Sequence, residues 1–514
     1  MQLPLQIDHG AGQILQLQIF EQIRRMILDR RLLPGVRMPS SRILAADLGI
    51  ARNTVVLAYD RLAAEGYIQM RQPVGAFVAN DVIFDGPALP ATVPAKDEPG
   101  HSRRDARVVF RGAAHRVARP RDQSIEFDFW VGRPDTRLFP KRLWEQMLNH
   151  QLNRTGFSIC SYGEPAGLRE LRDAIAAHVG VARGIKATAD EVLITSGIQQ
   201  GLNILARMFI RHGTPIAVED PCYCGAANTF LSYGARLVPV ETDAAGAKVD
   251  GLSCDPPFLY LTPSHQYPTG VTMPIERRER VLDWATRAGA YVVEDDYDSD
   301  FYYDRAPLPA LHSLDEHEQV IYLGTFSKSL AAGLRIGYMI LPRPLVASAV
   351  AVKALLDNCT AWLPQALLAE FLTTGAFDHH LRRIRTIYRA RRDCLAGVLR
   401  EHFGAVDLRG TQSGMHAAWR LPDCLPTAED FAQLCRRHGV AIYGIRSGNS
   451  FVSRRDPAHY ERIVMLGYAA LNEREIAEGI ARVAMAAAGH GSGASPGLAH
   501  RPQSAASRHP TLAG

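Results

Sequence analysis

The chain has 514 residues, a formal charge of +5 and 47% hydrophobic residues, which is enough for more than one folded core. Its eight cysteines include no C-x-x-C pair, so neither a zinc ribbon nor a disulfide framework is indicated, and reduced thiols predict a cytoplasmic protein. No apolar stretch reaches the roughly 20 residues that span a bilayer, and the first residues do not resemble a cleavable signal. These observations exclude membrane-spanning and disulfide-stapled classes.

The basic excess lies entirely in the first quarter of the chain. Residues 12–80 hold nine arginines and no lysine against five acidic residues. Residues 81–122 hold eight basic residues against six acidic ones, and residues 123–514 carry no net formal charge. A positive charge confined to one region predicts a polyanionic partner for that region alone.

Residues 12–80 carry the signals of three helices and a small β-wing. Apolar residues recur at three and four positions in the first helix, and Ser, Pro and Gly residues mark where the helices begin and end. The predicted elements are helices at 14–28, from Ser40 or Ser41 to Gly49 and from beyond Ala51, then strands at 67–69 and 76–79. This order is typical of a winged helix-turn-helix.

Polar and basic side chains gather where the second and third helices begin. Hydroxyl, amide and guanidinium groups suit contacts with DNA phosphates and base edges. The plainer alternative is a three-helix packing module with solvated arginines. The side chains predicted to face DNA on this basis are Arg37, Ser41, Arg42, Arg52, Asn53 and Thr54.

Three segments of this region resemble the winged helix of GntR-type bacterial repressors. They are residues 33–42 (LPGVRMPSSR), 48–55 (LGIARNTV) and 65–68 (EGYI). The resemblance implies that residues 12–80 form a winged helix-turn-helix domain that binds a double-stranded DNA operator. The residues that it places at the DNA are Arg42, Arg52, Asn53, Thr54 and the wing residue Gly75.

Two segments lack any sustained helical or strand pattern. Residues 81–122 contain five prolines together with glycines and arginines, which predicts a linker. The arginines of this linker either contact DNA phosphates or only keep the segment soluble. Residues 488–514 are rich in Gly, Ala, Ser and His and are predicted to form a disordered tail.

Short β-branched runs alternate with helical stretches over residues 123–487. This alternation predicts an α/β domain with a largely parallel sheet, divided into a larger cofactor-binding part and a smaller C-terminal part. No G-x-G-x-x-G sequence follows a strand, so a dinucleotide site is not expected. The predicted strands are 192–194, 216–218, 258–261, 291–293 and 320–323.

Lys328 is the only one of six lysines that lies just beyond a predicted buried strand. Another strand delivers Asp295, and open α/β sheets bind ligands at the carboxyl ends of their strands. A lysine can hold a carbonyl cofactor as a Schiff base, and a buried carboxylate can keep a pyridinium nitrogen protonated. The alternatives for the acidic residues 295–300 are a solvated loop or a calcium site. The rest of an EF-hand loop is missing, so no metal site is predicted.

A phosphate seat is predicted where residues 195–200 leave a strand and open a helix. Backbone N–H groups and the helix dipole favour an anion at such a position. Arg335, seven residues beyond Lys328, can add a charged clamp. A plain helix cap would explain the same residues in isolation, so the prediction depends on their neighbours.

Four motifs, in this order, resemble those of fold-type I pyridoxal-phosphate aminotransferases. They are residues 195–200 (TSGIQQ), 265–270 (HQYPTG), 294–299 (EDDYDS) and 324–329 (GTFSKS). Joined to a GntR-type head, the chain is identified as a member of the MocR subfamily, transcription regulators with an aminotransferase-like domain. The resemblance implies pyridoxal 5'-phosphate (PLP) as cofactor, Lys328 as its Schiff-base lysine and Asp295 as the partner of the ring nitrogen. The other cofactor-binding residues that it implies are Tyr297, Tyr223, Ser196, Gly197, Ile198, Gln199, Thr325, Ser327 and Arg335.

The same resemblance implies contacts with an effector and a second subunit. Arg446 matches an arginine that grips an amino-acid carboxylate, and Tyr162 matches a residue that reaches the phosphate of the neighbouring subunit. A shared site implies a head-to-tail homodimer, which also suits an operator with repeated half-sites.

Two positions depart from the aminotransferase pattern. Tyr267 replaces the asparagine that tunes the ring oxygen, so efficient transamination is not expected. Gly225 stands where some members carry a second arginine, which disfavours an effector whose second carboxylate is read by two arginines.

The function predicted from these features is a transcription regulator. In it PLP, alone or as an aldimine with a small amino compound, shifts the dimer between states with different operator affinity. The alternative is a working aminotransferase with a residual DNA-binding head. Weak transaminase half-reactions are compatible with the first function.

Overall fold

The computed structural model divides the chain into two compact units, residues 1–109 and residues 110–514. The residues that it describes are 3–8, 10, 12, 14–29, 31–71, 75–79, 125–155, 159–304, 306–453 and 460–491. The predicted linker at 81–122 lies outside the described residues, as does most of the predicted tail. Among the residues described, no helix is both long and apolar enough to cross a bilayer.

The N-terminal unit has three helices followed by an antiparallel pair of strands, in the predicted order. The helices are α1 (Leu15–Leu28), α2 (Ser41–Leu48) and α3 (Arg52–Ala64), and the strands are β1 (Ile68–Arg71) and β2 (Gly75–Val78). The Ser40 hydroxyl accepts the Ile43 N–H at 3.3 Å and so caps α2. Gly49 ends the same helix with a φ of 64°, a conformation that favours glycine.

The apolar faces of the three helices meet in one core. Ile23, Leu44 and Val55 come from one helix each and have no exposed surface. Because this core takes the apolar stripe of α3, the first turn of that helix stays at the surface. Arg52 and Asn53 are exposed there.

The second unit is an α/β fold. Its helices are α4 (Lys141–Thr155), α5 (Arg169–Arg183), α6 (Ile198–Phe209), α7 (Cys224–Ser232), α8 (Ile275–Ala288), α9 (Leu311–Leu314), α10 (Arg343–Asp357), α11 (Trp362–Thr373), α12 (Ala376–Phe403), α13 (Ala428–Arg437) and α14 (Glu473–Gly491). Its strands are β3 (Phe127–Asp128), β4 (Val192–Thr195), β5 (Pro215–Asp220), β6 (Cys222–Tyr223), β7 (Arg236–Asp243), β8 (Gly246–Ala247), β9 (Phe258–Leu261), β10 (Tyr291–Asp296), β11 (Val320–Thr325), β12 (Gly337–Ile340), β13 (Asp407–Arg409), β14 (His416–Arg420), β15 (Val440–Ala441), β16 (Tyr443–Gly444), β17 (Ser450–Phe451) and β18 (Ile463–Gly467).

An eight-stranded sheet with the order β4-β12-β11-β10-β9-β5-β7-β8 forms the centre of this unit. Its five central strands, β11 to β7 in that order, are parallel, and the pairs that involve β12 or β8 are antiparallel. All five predicted strands are present, and four are longer than predicted. Strand β10 continues through Asp296 because its polar end still pairs with β11, where Asp295 lies opposite Leu323. An apolar pattern cannot detect such an extension.

A second, four-stranded sheet with the order β13-β14-β18-β16 forms the smaller C-terminal part. Helix α14 packs against α12 and α13 in this part, with Ile476, Ile480 and Val483 fully buried. The helix runs to Gly491, so residues 488–491 of the predicted tail are helical. The alanine-rich sequence at 484–488 favours this extra turn.

Candidate cofactor site and nucleic-acid interface

The carboxyl ends of β10 and β11 open into a cavity of about 390 Å³. Asp295 lies near the end of β10, and Lys328 follows β11 in a π-helical turn at Ser327–Ala331. Parallel pairing of the two strands brings both side chains to the same edge of the sheet. The cavity is lined by ten of the predicted cofactor residues, which are Gly197, Ile198, Gln199, Tyr223, Asp295, Tyr297, Thr325, Ser327, Lys328 and Arg335.

The amine of Lys328 lies against the backbone on the opposite wall of this cavity. Its Nζ donates to the carbonyl oxygen of Gly132 at 2.7 Å. Loss of hydration in the cavity lowers the pKa of Lys328, and the carboxylates of Asp298 and Asp295 oppose the shift without cancelling it. A lower pKa enlarges the neutral fraction of the amine, which is the nucleophilic form.

Gly132 is a part of the site that the sequence did not reveal. Its φ is +71°, and a Cβ at this position would lie 2.8 Å from Lys328 Nζ. Any side chain would therefore collide with the lysine or displace it. The two residues are 196 positions apart in the chain, so no local pattern connects them.

Asp295 presents one bonded and one unbonded oxygen. Its Oδ2 accepts the Tyr260 hydroxyl at 2.6 Å, whereas its buried Oδ1 has no partner among the described residues. Burial raises the pKa of Asp295 to about 7, with a smaller upward contribution from Asp296 and Asp298, while the Tyr260 hydrogen bond lowers it. A buried acceptor without a donor is costly, and a positively charged N–H group would satisfy it.

The Tyr223 ring lies close to Gly225, a residue of α7 two positions later in the chain. A Cβ on Gly225 would come within 2.4 Å of the Tyr223 ring. The glycine that stands in place of a second arginine is thus the residue that makes room for the tyrosine. Tyr223 also meets Tyr267 edge to face, with ring centroids 6.0 Å apart.

Two further tyrosines line the cavity with their hydroxyls engaged by backbone carbonyls. Tyr297 donates to the carbonyl oxygen of His265 at 2.9 Å, and Tyr267 donates to that of Gly448. Tyr267 also contacts Tyr297 edge to face at 6.1 Å between centroids. The position that carries an asparagine in aminotransferases is therefore filled by a ring that packs on its neighbours.

The predicted phosphate seat is formed by the start of α6 and by the segment after β11. Gly197 opens the helix with a φ of 88°, and no side chain caps this end. Arg335 Nη2 donates to the Ser196 carbonyl oxygen at 2.6 Å, and the Thr325 and Ser327 hydroxyls are 2.9 Å apart. Ser196 does not line the cavity. Its backbone N–H donates to Gln200, and its carbonyl oxygen accepts from Arg335. Uncapped N–H groups, two hydroxyls and a guanidinium are suited to an anion.

Several lining residues come from segments that carry no motif. They are Trp130, Val131, Gly132, Arg133, Pro134, Tyr260, Thr262, Ala332 and Asn449. Arg133 is held by Asp128, whose Oδ2 lies 2.7 Å from Nη1 of the arginine. Residues 130–134 reach the cavity only through tertiary packing, so they were not predicted as site residues.

Besides Ser196, two predicted residues lie outside the cavity. Arg446 is exposed and lines a separate cavity of about 250 Å³ together with Glu429 and Glu461. Arg446 is not among the residues that line the cofactor cavity, whereas Asn449, three positions later in the same turn, is. The Tyr162 side chain is 87% exposed within its own chain and does not line the cavity either.

A buried cluster behind Tyr297 contains three groups that could ligate a metal, His265, Asp298 and His416. His265 Nδ1 lies 2.9 Å from Asp298 Oδ2, and a Cβ on Gly414 would lie 2.2 Å from the His265 ring. The hydrogen bond between His265 and Asp298 and the close approach of the Gly414 backbone explain why these two side chains lie together. Since His265 also accepts the Tyr297 hydroxyl, the cluster belongs to the wall of the cofactor cavity.

The residues predicted to face DNA are exposed or half-buried in the N-terminal unit, and two pairs of them lie close together. Arg52 Nε donates to the Ser41 hydroxyl at 3.2 Å. A Cβ on Gly75 would lie 3.8 Å from Arg37 Nε, so the start of the second wing strand approaches this arginine. The exposed members of the predicted set are Arg37, Arg42, Arg52 and Asn53, and Ser41, Thr54 and Gly75 are half-buried.

An α/β unit of this topology, with a lysine just beyond the carboxyl end of a parallel strand and a buried aspartate on the next strand, is a fold-type I PLP-binding unit. Residues 136–483 match the family described as aminotransferase class I and II, and residues 15–78 match the bacterial regulatory proteins of the gntR family.

Relatives with the same two-part organisation match most of the chain. It is 33% identical over 480 residues to the probable rhizopine catabolism regulatory protein MocR of Rhizobium meliloti, covering 93% of this chain and 94% of that protein. It is 29% identical over 415 residues to the pyridoxine biosynthesis transcriptional regulator PdxR of Corynebacterium glutamicum, covering 81% and 85% of the two chains.

A solved aminotransferase structure is similar to the second unit. It is LysN, the alpha-aminoadipate aminotransferase of Thermus thermophilus, complexed with N-(5'-phosphopyridoxyl)-L-leucine. The TM-score is 0.64 at 31% identity, and the match covers 72% of this chain and 94% of that one. The chain therefore belongs to the MocR subfamily of GntR-type regulators, with an aminotransferase class I and II unit whose cofactor is PLP.

The buried carboxyl of Asp295 predicts a pH-dependent stability for the cofactor-free protein. Its pKa is about 7 in the folded state against an ordinary value of 3.8, so the protonated form favours folding. That contribution is fully present below about pH 4 and is lost as the pH rises through about 7. Because Asp295→Asn removes the titrating group, the stability of this variant relative to the natural protein should rise between these limits and then level off.

Urea unfolding of both cofactor-free proteins from about pH 4 to about pH 8 measures this difference in the free energy of unfolding. Glu219, another buried carboxyl with a pKa raised to about 7, is present in both proteins, so the effect of its burial is common to the two curves; the smaller part of its shift that comes from the Asp295 charge is not. Parallel pH curves would contradict the prediction.

Proposed function

We propose that this protein is a transcription regulator whose affinity for its operator responds to PLP, alone or joined to a small amino compound. One chain combines a GntR-type DNA-binding unit with the cofactor cavity. In that cavity a lysine amine, a buried carboxylate with an unbonded oxygen and an uncapped helix N-terminus occur together. This conjunction carries the proposal, because the three features correspond to the aldehyde, the pyridine nitrogen and the phosphate of the cofactor.

Within the cavity we assign the ring of the cofactor to four side chains. Lys328 provides the amine that bonds to the cofactor, and Asp295 holds the proton on the ring nitrogen through its unbonded Oδ1. Tyr297 lies on the side of the ring hydroxyl, and Tyr223 covers a face of the ring. PLP, when bound, supplies an aldehyde carbon and a ring that withdraws electrons. The protein supplies a lysine of lowered pKa and walls that exclude water.

The phosphate is assigned to the seat at the start of α6. The backbone N–H groups of Gly197, Ile198 and Gln199 point out of the first turn of that helix, and Thr325, Ser327 and Arg335 close the other side. Ser196 holds Arg335 in place through its carbonyl oxygen. Helix dipole, hydroxyls and guanidinium all favour a doubly charged phosphate.

An amino compound that competes with Lys328 for the cofactor would release the lysine amine inside the cavity. The free amine is the form that donates to the Gly132 carbonyl oxygen, so its release would restore this contact and tether the segment around Gly132. A ligand shifts a conformational equilibrium only through contacts that differ between the states, and this tether is one such contact. Since Arg446 lies in another cavity, we assign no effector carboxylate to it.

We further propose that the protein works in the cytoplasm as a head-to-tail homodimer in which Tyr162 reaches the phosphate seat of the partner chain. Tyr162 is 87% exposed in its own chain, and Leu355 is 73% exposed on α10. Large exposed apolar side chains of this kind mark interaction surfaces. A two-fold dimer would also present two DNA-binding units to a repeated operator.

A working aminotransferase is the second candidate, and the lowered pKa of Lys328 favours it. The lysine is poised both to attack the cofactor and to carry a proton. Tyr267, engaged with Gly448 in place of an asparagine, argues against efficient turnover. Complete amino-group transfer at rates of about 1 per second or faster would support the enzyme over the regulator.

Lys328→Ala should abolish the visible absorbance of the lysine-bound cofactor, because no other lysine lines the cavity. It should also abolish the response of operator binding to PLP, while DNA binding itself remains. Absorbance spectra and gel shifts on the DNA upstream of the gene measure both effects. Lys248→Ala is the matched control, since this lysine is exposed and pairs with Glu241. Retained absorbance in Lys328→Ala would refute the assignment.

Arg52→Ala should weaken operator binding by roughly 1–3 kcal/mol, about fivefold to 150-fold, if the first turn of α3 reads the major groove. Arg61→Ala at the other end of the same helix is the control, because Arg61 pairs with Glu65 at 3.0 Å. Fluorescence anisotropy with labelled operator DNA compares the two at fixed salt. Equal losses would mean that general charge, and not the first turn of α3, determines affinity.

Tyr162→Ala should lower PLP affinity several-fold although the side chain is 87% exposed, since a partner chain supplies the phosphate that it contacts. Exposed substitutions ordinarily change the free energy of unfolding by less than about 0.5 kcal/mol. Val181→Ala, at an exposure of 94%, is the matched control. Sedimentation measures the dimer and absorbance titration measures the affinity. A monomer that binds PLP with unchanged affinity would refute the shared site.

A further inference from the structure

Lys353 is a buried lysine that the cofactor cavity does not include. It lies on α10, its side chain has no exposed surface, and its Nζ is 2.9 Å from Asp357 Oδ1 one helical turn later. A buried ammonium group is tolerated only with a partner that compensates its charge. The ion pair therefore fixes the Asp357 carboxylate at the end of α10.

The second oxygen of Asp357 connects this pair to the start of α6. Asp357 Oδ2 accepts Gln200 Nε2 at 2.8 Å. A carboxylate can only accept hydrogen bonds, so it selects the amide nitrogen of Gln200 and forces the amide oxygen to face the other way. The orientation of Gln200 thus follows from the charge on Asp357.

The amide oxygen of Gln200 in turn holds the peptide of Ser196. Gln200 Oε1 accepts the Ser196 N–H at 2.7 Å, and the Ser196 carbonyl oxygen accepts Arg335 Nη2 at 2.6 Å. Ser196, the residue that precedes Gly197, is therefore fixed through both its backbone N–H and its carbonyl oxygen. A continuous chain of contacts runs from Lys353 to the guanidinium at the phosphate seat.

We propose that Lys353, Asp357 and Gln200 are positioning residues that set the affinity of the site for the phosphate group. None of them lines the cavity. They act by holding the Ser196 peptide so that the N–H groups of α6 and the Arg335 guanidinium converge on one anion. Preorganised donors bind an anion more tightly than donors that must first be ordered. This inference rests on the proposed phosphate seat.

The sharpest test compares PLP with pyridoxal, which has the same ring and aldehyde but no phosphate. Lys353→Met removes the charge and keeps most of the side-chain volume. We expect its PLP affinity to fall at least tenfold relative to the natural protein, while its pyridoxal affinity stays within about twofold of the natural value. The ratio of PLP affinity to pyridoxal affinity would then fall several-fold or more. A general folding defect would lower both affinities together and leave the ratio unchanged. Absorbance titration of the cofactor-free full-length protein measures both constants.

Gln200→Met is the second variant, because it keeps the side-chain length and removes both hydrogen bonds without leaving a charge buried. It should show the same collapse of the ratio, and it decides the test if Lys353→Met does not fold. Lys248→Met, which breaks the exposed pair with Glu241, is the matched lysine control and should leave the ratio unchanged. An unchanged ratio in Gln200→Met and in folded Lys353→Met would overturn the inference.

Arg335→Met separates a failure of this inference from a failure of the phosphate seat itself. If Arg335→Met lowers the ratio and the Lys353 and Gln200 variants do not, the seat stands and the positioning chain is wrong. If Arg335→Met also leaves the ratio unchanged, the phosphate is bound elsewhere and both assignments fall. A collapse in all three variants supports both.

Discussion

A carboxyl group buried at the edge of a parallel sheet, with one oxygen bonded and the other without a donor, is the feature on which the α/β unit depends. Asp295 reaches this position only because β10 continues past its apolar part and pairs with β11 to its end. The Tyr260 hydroxyl donates to one oxygen, and the other is buried without a donor among the described residues. In the absence of a cationic partner the cost of burial is met by raising the pKa of the carboxyl to about 7. The site is thus built to be completed by a bound cation.

The same principle explains the rest of the cavity. Lys328 is held as an amine of lowered pKa against a glycine, and the start of α6 is left uncapped. Each of these groups is unfavourable by itself and becomes favourable when the cofactor supplies its complement. Anything that binds only the folded state stabilises that state by an amount that grows with the logarithm of the ratio of its concentration to its Kd. Occupancy of the cavity therefore changes the energy of the unit, which is what a regulator requires of a sensor.

Individual residues show how far the sequence could predict this site. Lys328 and Asp295 were predictable because strand ends and residue types reveal them. Gly225 was interpreted as a missing arginine, whereas the structure shows that its lack of a side chain admits the ring of Tyr223. Arg446 was implied by its motif as the partner of an effector carboxylate, and in the structure it lines another cavity with Glu429 and Glu461. Motifs identify residue types near strand ends, whereas tertiary packing decides the path of a loop.

The two-part organisation, the elements of the first unit, five strands of the second and the cofactor could all be predicted from the sequence, as could a lysine placed to bond to that cofactor. These predictions depend on local periodicity, on charge confined to one region and on residues a few positions apart. The contact of Gly132 with Lys328 across 196 positions, and the connection of Lys353 to Ser196 through Asp357 and Gln200, exist only in the folded chain. Such contacts arise when distant segments pack in one core, and hydrogen-bond geometry in three dimensions leaves no periodic trace along the chain.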